Sequence, residues 1–395
     1  MTTRKTSETI RFSVAVLALA IAACSGKGLG GTNNSDATVD PDASLCGVGD
    51  DEKNAQQAPK IFHGTEDPEI CMSPGQQLAV GALTFQSYGW TNGCTGTLIA
   101  DDVVLTAAHC VQNWNGDPMS PDRVRFVVGE NAIYPDHTFT VSATFAHQSY
   151  NGDADHDLGM LKLAQGVTAA GVDAIPIPVN QLDLATGFLG EIMQNVGYGA
   201  TEVDDENHWQ LWTTEPVTEV QPGWFQVFGG GAPNGSSVCY GDSGGPSLWL
   251  RAGASLRLVG TVSWGDPSCM DYDYFARADD NLAFIEQQTG TLDPCVGITS
   301  AGLCDEDVAL WCENGELRQQ CCAATGQACG PDPMGNSRCT GASQCGGITY
   351  EGECQGSDAV WCENGELRRR RCEPCNQTCG WAGPALGYYC IDLTP

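Results

Sequence analysis

Between residues 78 and 290 short apolar runs alternate with clusters of Gly, Pro, Asn and Asp. The runs are Leu78 to Leu83, Thr97 to Ile99, Val103 to Leu105, Val124 to Val128, Leu158 to Leu163, Leu248 to Leu250 and Leu258 to Val262. Short apolar stretches bounded by turn formers read as strands, and a succession of them predicts an all-β sandwich or barrel. Helical periodicity appears mainly from Asp280 to Gln288. Upstream the pattern is different. Basic Arg4, Lys5 and Arg11 precede an apolar stretch from Phe12 to Ala23 that stops at Cys24. This is the anatomy of an export signal, too short to span a bilayer permanently. From Ser25 to Pro59 the chain is polar, with few large apolar residues to bury, which predicts a flexible tether.

Cysteine changes the picture by dividing the chain again. Of 21 cysteines, five fall between residues 61 and 290 and fourteen from Cys295 onward. The tail therefore calls for a different folding logic, that of small units stapled by disulfides. With 49 acidic against 18 basic side chains the net charge is −31, which repels phosphate backbones and anionic headgroups and argues against nucleic acid as a partner. The junction Ile21-Ala22-Ala23-Cys24 resembles a bacterial lipoprotein processing site, at which Cys24 is acylated and anchors the chain. Ser25 then resembles an outer-membrane sorting residue. An ordinary secretory signal is the alternative, giving a secreted protein. Removing Cys24 leaves an even number, suited to disulfides in an exported protein, and parity suggests a Cys46–Cys71 bridge.

The candidate chemistry centres on Cys239-Tyr240-Gly241-Asp242-Ser243-Gly244-Gly245-Pro246. A serine among glycines sits where backbone turns sharply, and its own amide and that of Gly241 can point together at a carbonyl oxygen. Such a nucleophile needs a base and an orienting acid. Upstream stand Leu105-Thr106-Ala107-Ala108-His109-Cys110 and Asp157-Leu158-Gly159-Met160-Leu161-Lys162-Leu163. Asp157 heads an apolar strand, where an unpaired charge is costly and a histidine donor is the natural partner. Asp153 and Asp155 are rivals. A metal site at His156 is disfavoured, because adjacent residues on an extended chain face opposite ways.

The order His, Asp, Ser in these surroundings resembles the chymotrypsin-like (trypsin-type) serine endopeptidases. The resemblance covers residues 61 to about 290. It implies two antiparallel six-stranded β-barrels and a C-terminal helix, with His109, Asp157 and Ser243 as the triad and Gly241 and Ser243 forming the oxyanion hole. It further implies disulfides Cys94–Cys110 and Cys239–Cys269. Pro59-Lys60-Ile61 resembles the family's activation site, where cleavage after Lys60 frees an Ile61 ammonium to pair with Asp242. Phe62 and His63 depart from the Val and Gly usual there. No calcium is assigned to the loop at Glu130, and neither metal nor cofactor is expected.

For substrate recognition the resemblance places Ser237 at the floor of the primary pocket, where trypsins carry aspartate, and Ser263-Trp264-Gly265 along one wall. Asp273 falls on the back wall, where it would favour a basic side chain; alternatively its loop is shifted and it faces water. Which side chain the pocket prefers is left open between basic and large apolar.

Beyond residue 290 an internal repeat appears. Trp311-Cys312-Glu313-Asn314-Gly315-Glu316-Leu317-Arg318 returns as Trp361 to Arg368, and Cys295, Cys304, Cys312, Cys322, Cys329 and Cys339 answer to Cys345, Cys354, Cys362, Cys372, Cys379 and Cys390. Three bridges per repeat, with the leftover Cys321 and Cys375 joined to each other, is the simplest arithmetic. The tail lacks histidine, which favours disulfides over zinc. An envelope component, a glycan or a protein is its candidate ligand.

The expected organisation is a signal (1–23), a tether and pro-segment (24–60), a protease domain (61–290) and cysteine-rich repeats at 295–339 and 345–390. The expected function is a serine endopeptidase acting on protein or peptide substrates, made as a zymogen and held at the membrane by a lipid anchor. A protease-fold surface protein used for binding or adhesion without turnover is the alternative.

Overall fold

A computed structural model describes residues 64–392 except 88, 114, 185–186, 202–206, 232–234, 342–347, 350, 364–365, 373–376 and 383–386. Cys24, Cys46, Lys60, Ile61, Cys345 and Cys375 lie outside the described residues. The first barrel contains β1 (Val80–Gln86), β2 (Trp90–Ala100), β3 (Val103–Thr106), β4 (Val124–Val128), β5 (His137–Ala146) and β6 (Gly159–Leu163). It closes in the order β1-β2-β3-β6-β5-β4, with every pairing antiparallel. The second contains β7 (Ile192–Gly197), β8 (Leu211–Gln221), β9 (Trp224–Phe228), β10 (Pro246–Leu250), β11 (Leu256–Gly265) and β12 (Tyr272–Arg277), closed as β10-β11-β12-β9-β8-β7. This is the expected all-β, chymotrypsin-like fold. The last helix of the protease body, Leu282–Thr289, buries Phe284 and Ile285 and ends at Gly290, whose φ of 70° suits glycine.

All seven expected strands are present. Five others, β5, β7, β8, β9 and β12, were not marked by apolar runs. In β5 buried Phe139 and Val141 alternate with exposed Thr138, Thr140 and Ser142, so half of each dipeptide is polar. In β8 the buried face includes Thr213 and Glu215. One local expectation also fails. Ala154–His156 is a turn of 3₁₀ helix rather than extended chain. His147 and His156 are half-buried, stacked on each other at 4.6 Å, and His147 also packs against Phe284.

The tail repeats share one architecture. The first pairs β13 (Leu303–Asp305), β14 (Val308–Glu313) and β15 (Glu316–Cys321) beside the two-stranded β16 (Ala328–Pro331) and β17 (Ser337–Thr340). The second pairs β18 (Glu353–Gln355), β19 (Asp358–Glu363) and β20 (Glu366–Arg371) beside β21 (Gln377–Trp381) and β22 (Tyr388–Asp392). Staples supply what so small a core cannot. They are Cys295–Cys312, Cys304–Cys329 and Cys322–Cys339 in the first repeat, and Cys354–Cys379 and Cys372–Cys390 in the second.

Two cysteine expectations are overturned together, because Cys71 pairs with Cys321, across 250 residues. Cys71 is thus unavailable to Cys46, and Cys321 to Cys375. The reason lies in the packing of the first repeat on the protease body. Val308, Leu310 and Leu317 cluster with Ile175 and Cys71. Gly75 N donates to Asp305 Oδ2 at 2.7 Å, Gln319 Nε2 to Cys71 O at 2.6 Å and Arg257 Nη1 to Pro294 O at 2.9 Å. No helix among the described residues is long and apolar enough to cross a membrane.

Candidate active site

Ser243 follows a tight turn in which Asp242 N donates to Cys239 O at 3.0 Å and Gly245 N to Asp242 O at 2.8 Å. Gly244 is required here. Its φ is 78°, and a Cβ would strike Thr106 Oγ1, Thr95 O and Ala107 N. Through this close approach the second barrel delivers the serine to the first. The Ser243 carbonyl accepts from Thr95 N at 2.8 Å and lies 3.6 Å from Cys110 Sγ. Cys110 in turn is bonded to Cys94, so the disulfide beneath His109 also backs the nucleophile.

His109 sits on a helical turn, Ala108–Val111, directly after β3. Its Nδ1 is 2.7 Å from Asp157 Oδ2, and its backbone N donates to Asp157 Oδ1 at 3.0 Å. Ser263 Oγ supplies a third hydrogen bond to Oδ2 at 2.7 Å. Asp157 is only 1% exposed, yet every donor around it is directed at the carboxylate. Because a carboxylate only accepts, the proton lies on Nδ1 and leaves Nε2 with a lone pair. Asp155 instead lies 3.8 Å from His156, so the structure brings Asp157 and not its rival to His109. Among the described residues the Ser243 hydroxyl has no hydrogen bond to His109; such contacts commonly tighten only when substrate binds. The amides of Gly241 and Ser243 donate to no acceptor among the described residues. Unspent donors of this kind are what a developing oxyanion needs.

Asp242 is fully buried, accepting from Gly199 N at 2.8 Å and Cys239 N at 2.7 Å. Burial pushes its carboxyl up to about 7 against the opposing pull of those two amides. No cation meets it among the described residues.

At the expected pocket positions, Ser237 is buried and its Oγ donates to Asp273 Oδ2 at 2.5 Å. Asp273 is 0% exposed, so its solvent-facing placement does not hold. It pairs with Gly265 across β11 and β12, and a Cβ on Gly265 would collide with Asp273 Oδ1. Only glycine leaves that carboxylate room. Cys239–Cys269 closes the neighbouring loop. Trp264 is half exposed and stacks on Tyr274 at 3.9 Å, while the Ser263 side chain is turned toward Asp157 instead of a substrate.

One residue was missed. Glu215, on β8, is fully buried, with Asn195 Nδ2 donating to its Oε2 at 2.5 Å. Its Oε1 and the Oδ1 of neighbouring Asp273 are both buried with no hydrogen-bond partner among the described residues, an arrangement that a proton on one of the two carboxyls would satisfy. Burial first, then the neighbouring Asp273 charge, raises Glu215 well above the ordinary range. Burial likewise raises Asp273 to about 7, with the Ser237 hydrogen bond opposing. Leu211 to Glu215 are all buried, on both faces of β8, so alternation along this stretch does not single out Glu215.

The family model described as Trypsin matches residues 72–285, more than half of the chain. Similar proteins include the CLIP domain-containing serine protease HP8 of Bombyx mori, 27% identical over 269 residues, covering 60% of this chain and 69% of that protein. Coagulation factor XII of Sus scrofa is 28% identical over 280 residues, 63% of this chain and 43% of its own length. Serine protease 28 of Mus musculus is 27% identical over 232 residues, 53% and 83% respectively.

Proposed function

The chain belongs to the trypsin family, and from that premise we propose that it is an active serine endopeptidase hydrolysing protein or peptide substrates. The observations that support the reading are the Asp157-oriented His109, the approach of the adjacent Cys110 Sγ to within 3.6 Å of the Ser243 carbonyl, and two unspent amides. In the proposed reaction Ser243 Oγ attacks the scissile carbonyl carbon and its proton passes to His109 Nε2. The negative oxygen is held by the amides of Gly241 and Ser243. His109 then returns the proton to the leaving amine as the C–N bond breaks, leaving an acyl-serine. Water, deprotonated by the same nitrogen, frees the acid and regenerates Ser243. Asp157 keeps the imidazole in the required tautomer throughout.

Asp273, buried beside Gly265, makes the primary pocket selective for a lysine or arginine side chain in this reading. Asp242 is the other half of the activation reading. A buried carboxylate held by amides alone is a seat for an ammonium, and cleavage after Lys60 supplies one at Ile61. Residues 61–290 are the protease unit in this reading, 295–339 and 345–390 the repeats, and 24–60 the pro-segment. The disulfides fit an exported protein, and Cys24 is the proposed lipid attachment point after removal of 1–23. An envelope, glycan or protein ligand for the repeats stays a candidate.

Treatment of the uncut and the Lys60-cleaved chain with a fluorophosphonate probe, followed by peptide mass mapping, tests the proposal. Ser243 should be labelled strongly only after an Ile61 terminus appears. Labelling of the uncut chain to the same degree removes the activation step. Absence of labelling in cut, folded protein favours the binding protein without turnover.

A further inference from the structure

Two carboxyls lie buried as neighbours in the second barrel, and the proposed reaction uses only one of them. Glu215 on β8 and Asp273 on β12 are each 0% exposed. In each, one oxygen is spent: Asn195 Nδ2 donates to Glu215 Oε2, and Ser237 Oγ donates to Asp273 Oδ2. The other two oxygens, Glu215 Oε1 and Asp273 Oδ1, are buried without a partner among the described residues. Ionised carboxylates only accept, and two like charges in a dry site are costly, so this pair calls for a compensating positive charge.

The surrounding strands do not offer a cation. Met193 on β7 lies opposite Glu215, while Val227 on β9 and Gly265 on β11 lie opposite Asp273. From β10, Ser247 lies opposite Asn195. None of these carries charge. Glu69 approaches β8 through Thr214, on the other face of the strand from Glu215. Asp242 is the remaining charged group that acts on the pair, and it too is an acid. A proton is what relieves the site, and the donors decide which carboxyl holds it, because charge is favoured where more donors converge. Asp273 is served by the Ser237 hydroxyl and, more weakly, by the Val238 amide, whereas Glu215 has the Asn195 side chain alone.

We propose that Glu215 is a positioning residue for substrate recognition: a neutral carboxylic acid whose Oε1 hydroxyl donates to Asp273 Oδ1 and keeps the negative charge of the pair on Asp273, beside Gly265. This rests on the reading of Asp273 as the determinant of the primary pocket. A carboxylic acid held neutral by its surroundings serves as a fixed hydrogen-bond donor. Without it, Asp273 would be a buried carboxylate with one oxygen unserved, and it would take up a proton more readily. Glu215 thus extends to lower pH the range over which a lysine or arginine side chain meets an anion. The strong upward push that burial gives Glu215 has the same sense.

The test uses the full chain in the form that labels at Ser243, with kcat/KM ratios for matched Lys and Leu substrates followed across pH. The wild-type ratio should rise through about 7, where Asp273 gains its charge. Glu215→Gln keeps a donor in the hydroxyl's place and should leave that midpoint where it is. Glu215→Leu removes the donor and should raise the midpoint by about one unit, lowering the ratio about tenfold at about pH 6. A downward shift in either variant would make Glu215 an anion opposing Asp273 and overturn the proposal. An unchanged midpoint in Glu215→Leu overturns it as well. Should that variant not fold, difference infrared spectra decide. At about pH 8 the wild type should show the carbonyl stretch of a protonated carboxylic acid, and Glu215→Gln should lack it. Absence of this band from the wild type overturns the proposal. A flat wild-type ratio strikes the pocket reading instead, and the band then decides alone whether Glu215 holds the proton.

Discussion

Asp157 gathers three hydrogen bonds, two from His109 and one from Ser263, so its charge is spent on orientation. Asp157→Asn would present an NH₂ to these donors and favour the wrong imidazole tautomer. The expected loss in kcat is about 10⁴-fold with the fold intact, the size known for this change in the archetypal triad. Ser243→Ala should abolish fluorophosphonate labelling and lower kcat by about 10⁶-fold, close to what loss of a whole triad costs. Asp242 makes a pH prediction. Its folded carboxyl is raised to about 7 from an ordinary 3.8, so the folded state holds the proton more tightly than the unfolded. The stability this contributes is complete below about pH 4 and is lost as pH rises through 7. Across that interval the uncut wild type should lose denaturation midpoint relative to Asp242→Asn. Once an Ile61 ammonium is present, that relative loss should disappear.

At the scale of elements, β8, β11 and β12 bring Glu215, Gly265 and Asp273 into one buried acidic site. Because Asp273 is held near 7, a lysine or arginine side chain meets a fuller negative charge as pH rises. The ratio of kcat/KM for a Lys substrate to that for a matched Leu substrate should therefore climb between about pH 6 and 8, while pH effects common to both substrates cancel in the ratio. A flat ratio would remove Asp273 from recognition. How legible this was differed by element. The triad strands announce themselves because β3 is buried throughout and β6 is broken only by half-exposed Lys162, so both read as apolar runs. In β8, Thr213 and Glu215 occupy inward positions, satisfied by partners from distant strands and loops that no local pattern contains. Ser263 was legible as part of a pocket wall, but its hydrogen bond to Asp157 depends on how the two barrels meet.

For the molecule as a whole, the Cys71–Cys321 bridge decides whether the first repeat is an appendage or part of the protease's stable unit. Parity could count cysteines but could not choose a bridge spanning 250 residues, since no local geometry links its ends. Closing so long a loop is worth about 5 kcal/mol in the chain-entropy model, though removing a native disulfide typically costs 2–5 kcal/mol. Noncovalent docking acts beside it: Gln319 and Asp305 satisfy backbone groups of the segment from Cys71 to Gly75, and Leu317 is fully buried. Those contacts become weaker in effect once the repeat is tied only through the connection near residue 290, because undocking no longer opposes a covalent bond. The full chain should unfold the protease body and first repeat in one calorimetric transition. Cys71→Ser with Cys321→Ser should lower the midpoint and split that transition, the repeat, still stapled by its own three bridges, melting apart from the barrels. A single undivided transition in the double variant would assign the union to the buried Leu317 cluster rather than to the bridge.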